Sequence, residues 1–559
     1  MKNSSLFIVL QRMRKPFLVI TITHTIAIIG LLIIDGLDNN GNSYNMTIFD
    51  AFYFVSYTAT TIGFGETPYE FTYPQRLWVT FSIYLTVLGW FYSIGMLVSL
   101  LQDKIFIREI QRAKFKRQVK DLKEKFIIIL GYNQITSEII RRAIDQEIRT
   151  VVIEKNEQRA NELILENFTP SVPVLIADAY TPSALEEAGI KKYNCKALVS
   201  IFEDDSLNLR IALTSKLLNP RVRLAVKSTT INHTENLKDL DVEIIANPFS
   251  IISSEISMAL NAPNLLKLEK WVYKIDNLEA KLPSFPKGKY IICGYGRMGQ
   301  HIYTNLKQDR LEAEFVEIDK IKIATFDSDE KLHITYGNAD DKEVLLKIGI
   351  EDAVCIISAT NDDTTNLSVL ATAKKLNPNI MTIARENEME DFSIFGNAKI
   401  DHIFMPSRIL INKTTNALIS PLSDKFISYM CKEDDDWALK LVKELIQKID
   451  IDPLLYELKI CKDDAIEIYK AIEEKKEVKL EIFSRSLYNR EQINNIIVLL
   501  IKREEETILL PSNEIVLKPN DEILFACDEN AKNDIESIAE NIYEFHYAHT
   551  GEERKTIFK

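Results

Sequence analysis

Thr61-Ile62-Gly63-Phe64-Gly65-Glu66 places glycines at alternate positions. That spacing lets successive backbone carbonyls turn toward one axis, which side-chain-bearing residues resist. Gly294-Tyr295-Gly296-Arg297-Met298-Gly299 has a different grammar. Its glycines admit backbone close to a pyrophosphate at a helix N-terminus, and Asp319, 20 residues past Gly299, is an acceptor for ribose hydroxyls. Arg297 can reach a phosphate. Three carboxylate clusters, Glu203-Asp204-Asp205, Asp362-Asp363 and Glu433-Asp434-Asp435-Asp436, have the hard-oxygen chemistry that suits Ca2+. None has EF-hand spacing, and such runs read first as solvated loops. The seven histidines form no cluster able to relay a proton beside a cofactor, and His546 with His549 reads as helix surface.

Two apolar runs flank the first glycine motif. Residues 17–34 are uncharged and mostly apolar, and residues 77–101 are a second such run. Crossing a hydrocarbon core takes about 20 helical residues, so both can span a bilayer. Lys2, Arg12, Arg14 and Lys15 precede the first span, and nine Lys or Arg follow the second between Lys104 and Lys125. Residues 35–76 carry Asp35, Asp38, Asp50, Glu66 and Glu70 against Arg76 alone. The positive-inside rule then predicts a multi-pass protein of the cell (inner) membrane with both termini cytoplasmic. His24, inside the first span, reads as a solvated or hydrogen-bonded helix position. Residues 48–60 are apolar and aromatic but too few to cross, which suits a re-entrant helix running into Thr61.

In that setting the motif resembles the potassium-channel signature, with Ile, Phe and Glu where the usual form has Val, Tyr and Asp. The resemblance makes Thr61, Ile62, Gly63, Phe64, Gly65 and Glu66 a selectivity filter for K+, lined by backbone carbonyls. Phe64 lacks the phenol hydroxyl that can brace a filter from behind. One filter segment per chain is a quarter of a ring, so a homotetramer follows. No Arg-rich span precedes the pore, which leaves no voltage sensor. By comparison with ligand-gated two-span channels, Gly89 is the gating hinge; the alternative is that it permits close helix packing.

Beyond the basic linker 102–125 the chain repeats itself. Gly131 pairs with Gly294, Glu154 with Asp319, Asp178 with Asn338, Asn219-Pro220 with Asn377-Pro378, and Pro248 with Pro406. In each copy short buried strands alternate with amphipathic helices, which predicts a doubly wound parallel sheet. The second copy has the dinucleotide fingerprint in context: strand before, helix after, acid at the right distance. The first copy reads Gly131-Tyr132-Asn133-Gln134-Ile135-Thr136 and has lost two glycines. Asn133 and Thr136 crowd the phosphate approach, so Gly131, Asn133, Glu154 and Asp178 form a weaker site or a purely architectural one.

The two copies resemble RCK domains of the TrkA-N type. The resemblance rests on Ser358-Ala359-Thr360-Asn361-Asp362-Asp363 and on Asn377-Pro378 followed by Ile383-Ala384-Arg385. It adds Asn338, Ala339, Thr360 and Arg385 to the cofactor-binding set of Gly294, Tyr295, Gly296, Arg297, Met298, Gly299 and Asp319. Residues 509–512 and 516–524 resemble an RCK C-terminal subdomain. The whole chain resembles the bacterial two-span potassium channels with tandem RCK domains, of the GsuK type.

The expected fold is an α-helical two-span pore followed by two Rossmann-like α/β domains and a small α+β subdomain. The expected boundaries are a cytoplasmic N-terminus 1–16, pore domain 17–101, basic linker 102–125 and first RCK domain 126–262. A connector 263–286, second RCK domain 287–420, C-terminal subdomain 421–545 and tail 546–559 follow. The resemblance implies a ligand-gated K+ channel, not an enzyme. Its cytosolic ring of eight Rossmann copies would sense NAD(H) or ADP/ATP, with Ca2+ as a further candidate. Pro248 and Pro406 each open an apolar helix of the kind RCK domains use to pair. The alternatives are a membrane-anchored RCK regulatory protein without conduction and a nicotinamide-dependent oxidoreductase. A net charge of −13 argues against general nucleic-acid binding. The six cysteines contain no CxxC pair and all lie in the acidic remainder after residue 125, which reads as reduced and cytosolic.

Overall fold

The computed structural model describes residues 4–324, 333–387, 395, 397–487 and 492–554. Lys2 and residues 555–559 of the expected tail lie outside the described residues. The chain divides into two compact units, residues 1–122 with 173–176, and residues 123–172 with 177–559.

In the first unit, helix α1 (Ser4–Ile33) leads through a two-strand hairpin, β1 (Gly36–Leu37) and β2 (Ser43–Tyr44), to α2 (Ile48–Ala59). Helices α3 (Tyr73–Gln102) and α4 (Lys104–Asp121) follow. Residues 13–33 and 73–99 are long and apolar enough to cross a membrane. Small residues let α1 and α3 approach closely. A Cβ on Gly30 would fall 1.9 Å from the Trp78 ring, and Trp78 Nε1 donates to the Ala27 carbonyl at 3.1 Å. Helix α2 begins at a Thr47 cap whose side chain accepts from the Asp50 amide. It buries Ala51, Phe54 and Val55 in a cluster with Ala27 and Leu31.

Strands β3 (Phe126–Leu130), β4 (Arg149–Glu154), β5 (Val174–Ile176), β6 (Cys195–Ser200), β7 (Arg223–Lys227) and β8 (Ile244–Ala246) belong to one sheet. Its order is β5-β4-β3-β6-β7-β8. Strands β9 (Tyr290–Cys293), β10 (Ala313–Glu317), β11 (Ile334–Tyr336), β12 (Cys355–Ser358), β13 (Met381–Arg385) and β14 (His402–Phe404) repeat that order as β11-β10-β9-β12-β13-β14. The resolved ladders of both sheets are parallel. All five residues of β3 are buried, as a strand covered by helices on both faces requires.

Helices α5 (Gln134–Asp145), α6 (Glu157–Leu165), α7 (Pro182–Glu187), α8 (Asp205–Leu218) and α9 (Ile231–Asp239) alternate with the first set of strands. Helices α10 (Pro248–Asn261) and α11 (Pro263–Val272) then cross to the second copy, where α12 (Arg297–Gln308) and α13 (Lys320–Ala324) follow β9 and β10. The copies exchange helices reciprocally. Helix α10 of the first packs on α12 of the second, and helix Pro406–Ile419 of the second packs on α5 of the first. Phe249, Ile252 and Ile256 of α10 join the core around Tyr290, Ile292 and Tyr303. Each such side chain contributes about 1.5–3 kcal/mol when fully buried. Polar contacts fix the register: Ser257 to Asp309 at 2.8 Å, Asn305 to Ser253 at 3.1 Å, and Arg142 to Asn412 at 2.7 Å.

The last part of the chain builds an antiparallel sheet from β15 (Leu454–Lys459), β16 (Ile496–Arg503), β17 (Glu506–Leu509) and β18 (Glu522–Cys527), in the order β15-β18-β16-β17. Trp271 of α11 ties it to the connector by donating to the Pro453 carbonyl at 2.9 Å.

Candidate functional sites

The glycine run after α2 is shaped as its spacing predicts. Thr61, Gly63 and Gly65 have φ of 62°, 67° and 76°, whereas Ile62 and Phe64 are absent from the left-handed region. Alternating handedness sends successive carbonyls to the same side, where a plain strand would send them to opposite sides. Holding Thr61 left-handed costs about 1–2 kcal/mol, so the surroundings must enforce it. The Ile62 and Gly63 amides both donate to the Tyr57 carbonyl at the end of α2. The brace that Phe64 lacks comes from α2 instead. Tyr57 Oη donates to the Glu66 carbonyl at 2.8 Å, and Tyr53 Oη to Glu66 Oε2 at 2.9 Å.

Gly89 packs closely against α1. Helix α3 runs through it unbroken, and a Cβ there would lie 2.9 Å from Thr23 Oγ1 of α1. Gly95, one and a half turns on, has open space around its Cβ position. Gly89→Val is therefore expected to lower the unfolding temperature of the purified protein by several degrees in a thermal scan, and Gly95→Ala to leave it within a degree or two.

In the second copy the glycine turn divides its tasks. Gly294 has φ of 101° and allows the sharp exit from β9. A Cβ on Gly299 would fall 2.3 Å from the Gly294 carbonyl, so this glycine sets how closely α12 approaches the strand. A Cβ on Gly296 would meet nothing within 4 Å. Gly296 caps α12 without any side-chain hydrogen bond, which leaves the dipole-aligned N–H groups of the first turn facing open space. Met298 and Tyr295 are buried beneath, with the Tyr295 ring 4.5 Å from Phe315.

The acid at the strand end is Glu317, not Asp319. Strand β10 ends at Glu317, two residues earlier than the motif spacing suggests. Its buried carboxylate accepts from the Tyr295 amide at 2.7 Å and the Asp319 amide at 2.9 Å. Glu154 of the first copy does the same for Tyr132 and Asn156, each at 2.6 Å. The Glu154 partner is thus Glu317, and Asp319 matches Asn156. Like Asn156, Asp319 turns its side chain onto the next helix, accepting from the Ile321 amide at 2.9 Å. Two carboxylates two residues apart made the sequence ambiguous; the strand register resolves it.

Around the turn, Thr360 donates to Asn366 Oδ1 at 2.7 Å, and Asn338 accepts from the Asp340 amide at 3.1 Å beside the buried Ala339. Arg385 donates to Asn361 at 3.0 Å. Burial, reinforced by the Arg297 guanidinium, lowers the Arg385 pKa from its ordinary value.

The first copy closes each of these openings. Asn133 and Thr136 form a reciprocal capping box, so side chains of the protein occupy the helix N-terminus. Phe202 stands over Gly131, where an added Cβ would lie 2.8 Å from its ring. Asp178 pairs with Lys155 at 2.9 Å. Phe202 was not legible as a blocking residue, because only the fold brings it to Gly131.

The acidic clusters have structural work. Asp204, Asp362 and Asp434 cap helices, Asp205 accepts from the Thr229 and Thr230 amides, and Asp435 accepts from the Asn264 amide. Among the described residues no group of three or more His, Cys, Asp or Glu is placed to hold a metal ion.

Residues 17–103 match the ion channel domain family, and residues 127–248 and 290–406 each match the TrkA-N domain. An ion channel domain followed by two TrkA-N domains is the make-up of a two-span potassium channel with tandem RCK domains. A probable potassium channel protein 2 of Methanocaldococcus jannaschii is 28% identical over 297 residues, 52% of this chain and 76% of the relative. Potassium channel protein 1 of the same organism is 27% identical over 178 residues, 32% of this chain and 51% of the relative. An uncharacterized protein of Methanothermus fervidus is 36% identical over 130 residues, and the match spans only 20% of that relative. Among solved structures, the GsuK channel aligns over 98% of this chain and 100% of its own at 14% identity and a TM-score of 0.49. The GsuK channel bound to NAD aligns over 95% and 98%, at 14% identity and a TM-score of 0.47.

Proposed function

We propose that four copies of this chain form a K+-selective pore whose opening is controlled by an adenine nucleotide, NAD(H) or ADP/ATP, bound in the second RCK copy. The observation that carries the pore is the alternation of left-handed residues at Thr61, Gly63 and Gly65 behind a short re-entrant helix. Four such segments make a cage of carbonyl oxygens that replaces the water shell of a bare cation. The membrane orientation in this reading is two spans with both termini in the cytoplasm.

The nucleotide assignment rests on the uncapped α12 N-terminus above Gly296, with Glu317 at the ribose end and Arg297 and Arg385 at the phosphate end. GsuK has been solved with NAD and with ADP, and this reading takes the same ligand class for this chain. Negative charge at Glu317 and Asp319 repels a 2′-phosphate, which favours NAD(H) over its phosphorylated form. The ligand does no chemistry here. It shifts the equilibrium between ring conformations by binding one more tightly than the other.

K+ flux into liposomes carrying the purified protein, with light scattering for the oligomer, tests the pore. A tetramer that carries no flux at any nucleotide concentration would instead be a membrane-anchored regulator. A second expectation concerns the brace. Tyr57→Phe removes one hydrogen bond to the filter, about 0.5–1.5 kcal/mol, and is expected to shorten single-channel open bursts severalfold without altering expression.

A further inference from the structure

Arg297 belongs to the glycine turn of the second copy, yet its guanidinium reaches the first. Nη1 donates to Thr229 Oγ1 at 2.6 Å. Thr229 is buried at the carboxyl end of β7, and its own hydroxyl donates to Asp205 Oδ2 at 3.0 Å. Asp205 is the carboxylate that also takes the Thr229 and Thr230 amides, so the acceptor is held rigidly by its own copy. The other side of the guanidinium lies over Phe249, the second residue of the crossover helix α10, at 5.3 Å. Arg385 of the second copy lies over the same ring at 5.3 Å.

Two like charges therefore share one aromatic side chain at the junction of the copies. Buried Arg385 Nε has no hydrogen-bond partner. The repulsion is felt: Arg385 has its pKa lowered by burial and by Arg297. An anion between the two guanidinium groups would relieve both the repulsion and the unsatisfied donor. Arg297 cannot turn its Nη1 to that anion and keep it on Thr229.

We propose that the Arg297–Thr229 hydrogen bond is a latch between the RCK copies, which a nucleotide phosphate opens by drawing Arg297 back to its own glycine turn. This rests on the reading that the second copy binds nucleotide. Binding energy is then divided between holding the ligand and breaking the latch, and the broken contact frees α10 and the β7 end to shift relative to α12. Part of the ligand's differential affinity becomes rearrangement of the ring. The reciprocal position in the first copy is Gln134, which carries no guanidinium.

The test uses the full-length channel in detergent and liposomes, with ADP and NAD as probes. Thr229→Val removes the acceptor but keeps the backbone amide bond to Asp205, and Thr229 is not among the residues proposed to hold the nucleotide. Calorimetry is expected to show Thr229→Val binding the nucleotide 3–10-fold more tightly than the parent, because no latch must be broken. Its open probability is expected to respond less to saturating nucleotide, at unchanged single-channel conductance. Thr229→Ser restores the hydroxyl and is expected to match the parent in both. Equal or weaker affinity in Thr229→Val, with the parent binding normally and the variant unfolding at the parental temperature, overturns the latch. Absence of binding by the parent would instead overturn the nucleotide reading, and the latch with it.

Discussion

Protein carrying Gly63→Asp, reconstituted beside the parent, is expected to lose K+ flux by at least ~100-fold while remaining tetrameric. Gly63 has φ of 67°. An L-residue there costs roughly 1–2 kcal/mol, and release of that strain flips the carbonyl away from the ion path. A carboxylate adds a binding charge where conduction needs an ion to leave as readily as it enters. A loss of ~100-fold corresponds to about 2.7 kcal/mol on the barrier, within reach of one lost carbonyl layer and a misplaced charge. Because a Cβ at Gly63 meets nothing within 4 Å in its own chain, the subunit itself should fold. Parental flux through the variant would show that ions do not pass Thr61–Gly65.

The second large effect is expected from Gly296→Val, which should abolish nucleotide binding at unchanged thermal stability. The added side chain meets open space within 4 Å of its Cβ, and φ at this position is −83°, so backbone and packing both accept it. It fills the volume in front of the α12 N-terminus that a pyrophosphate needs. Gly299→Ala is the structural contrast. Its Cβ would sit 2.3 Å from the Gly294 carbonyl, so α12 must move and stability falls by on the order of 1–3 kcal/mol. Calorimetric titration with NAD and ADP, alongside thermal scans, separates the two. Persistent binding in Gly296→Val would move the ligand elsewhere. The acids should rank likewise: Glu317→Gln is expected to weaken binding at least tenfold, and Asp319→Ala less than threefold.

Local pattern settled much of this molecule, for physical reasons that act within a few residues. Strands β3 and β9 coincide with the apolar runs at 126–130 and 290–293, because parallel strands buried on both faces need continuous hydrophobicity. Pro248 and Pro406 start their helices because a ring-fixed φ suits the first helical position. Alternate glycines dictated the alternating backbone of residues 61–65, and the lost glycines of the first copy foretold its altered turn. Where neighbours distant in sequence decide, the chain alone was mute or misleading. Spacing pointed to Asp319, and only the β9–β10 register shows that Glu317 faces the turn. Gly89 read equally as a hinge or a packing position, and only the fold sets Thr23 of another helix against it. Phe202 over Gly131, Tyr57 behind Glu66 and Arg297 on Thr229 join residues 9 to 71 positions apart, and no local periodicity encodes such meetings. Helical and strand periods report which face a residue takes; what stands opposite that face is chosen by the packing of the whole core.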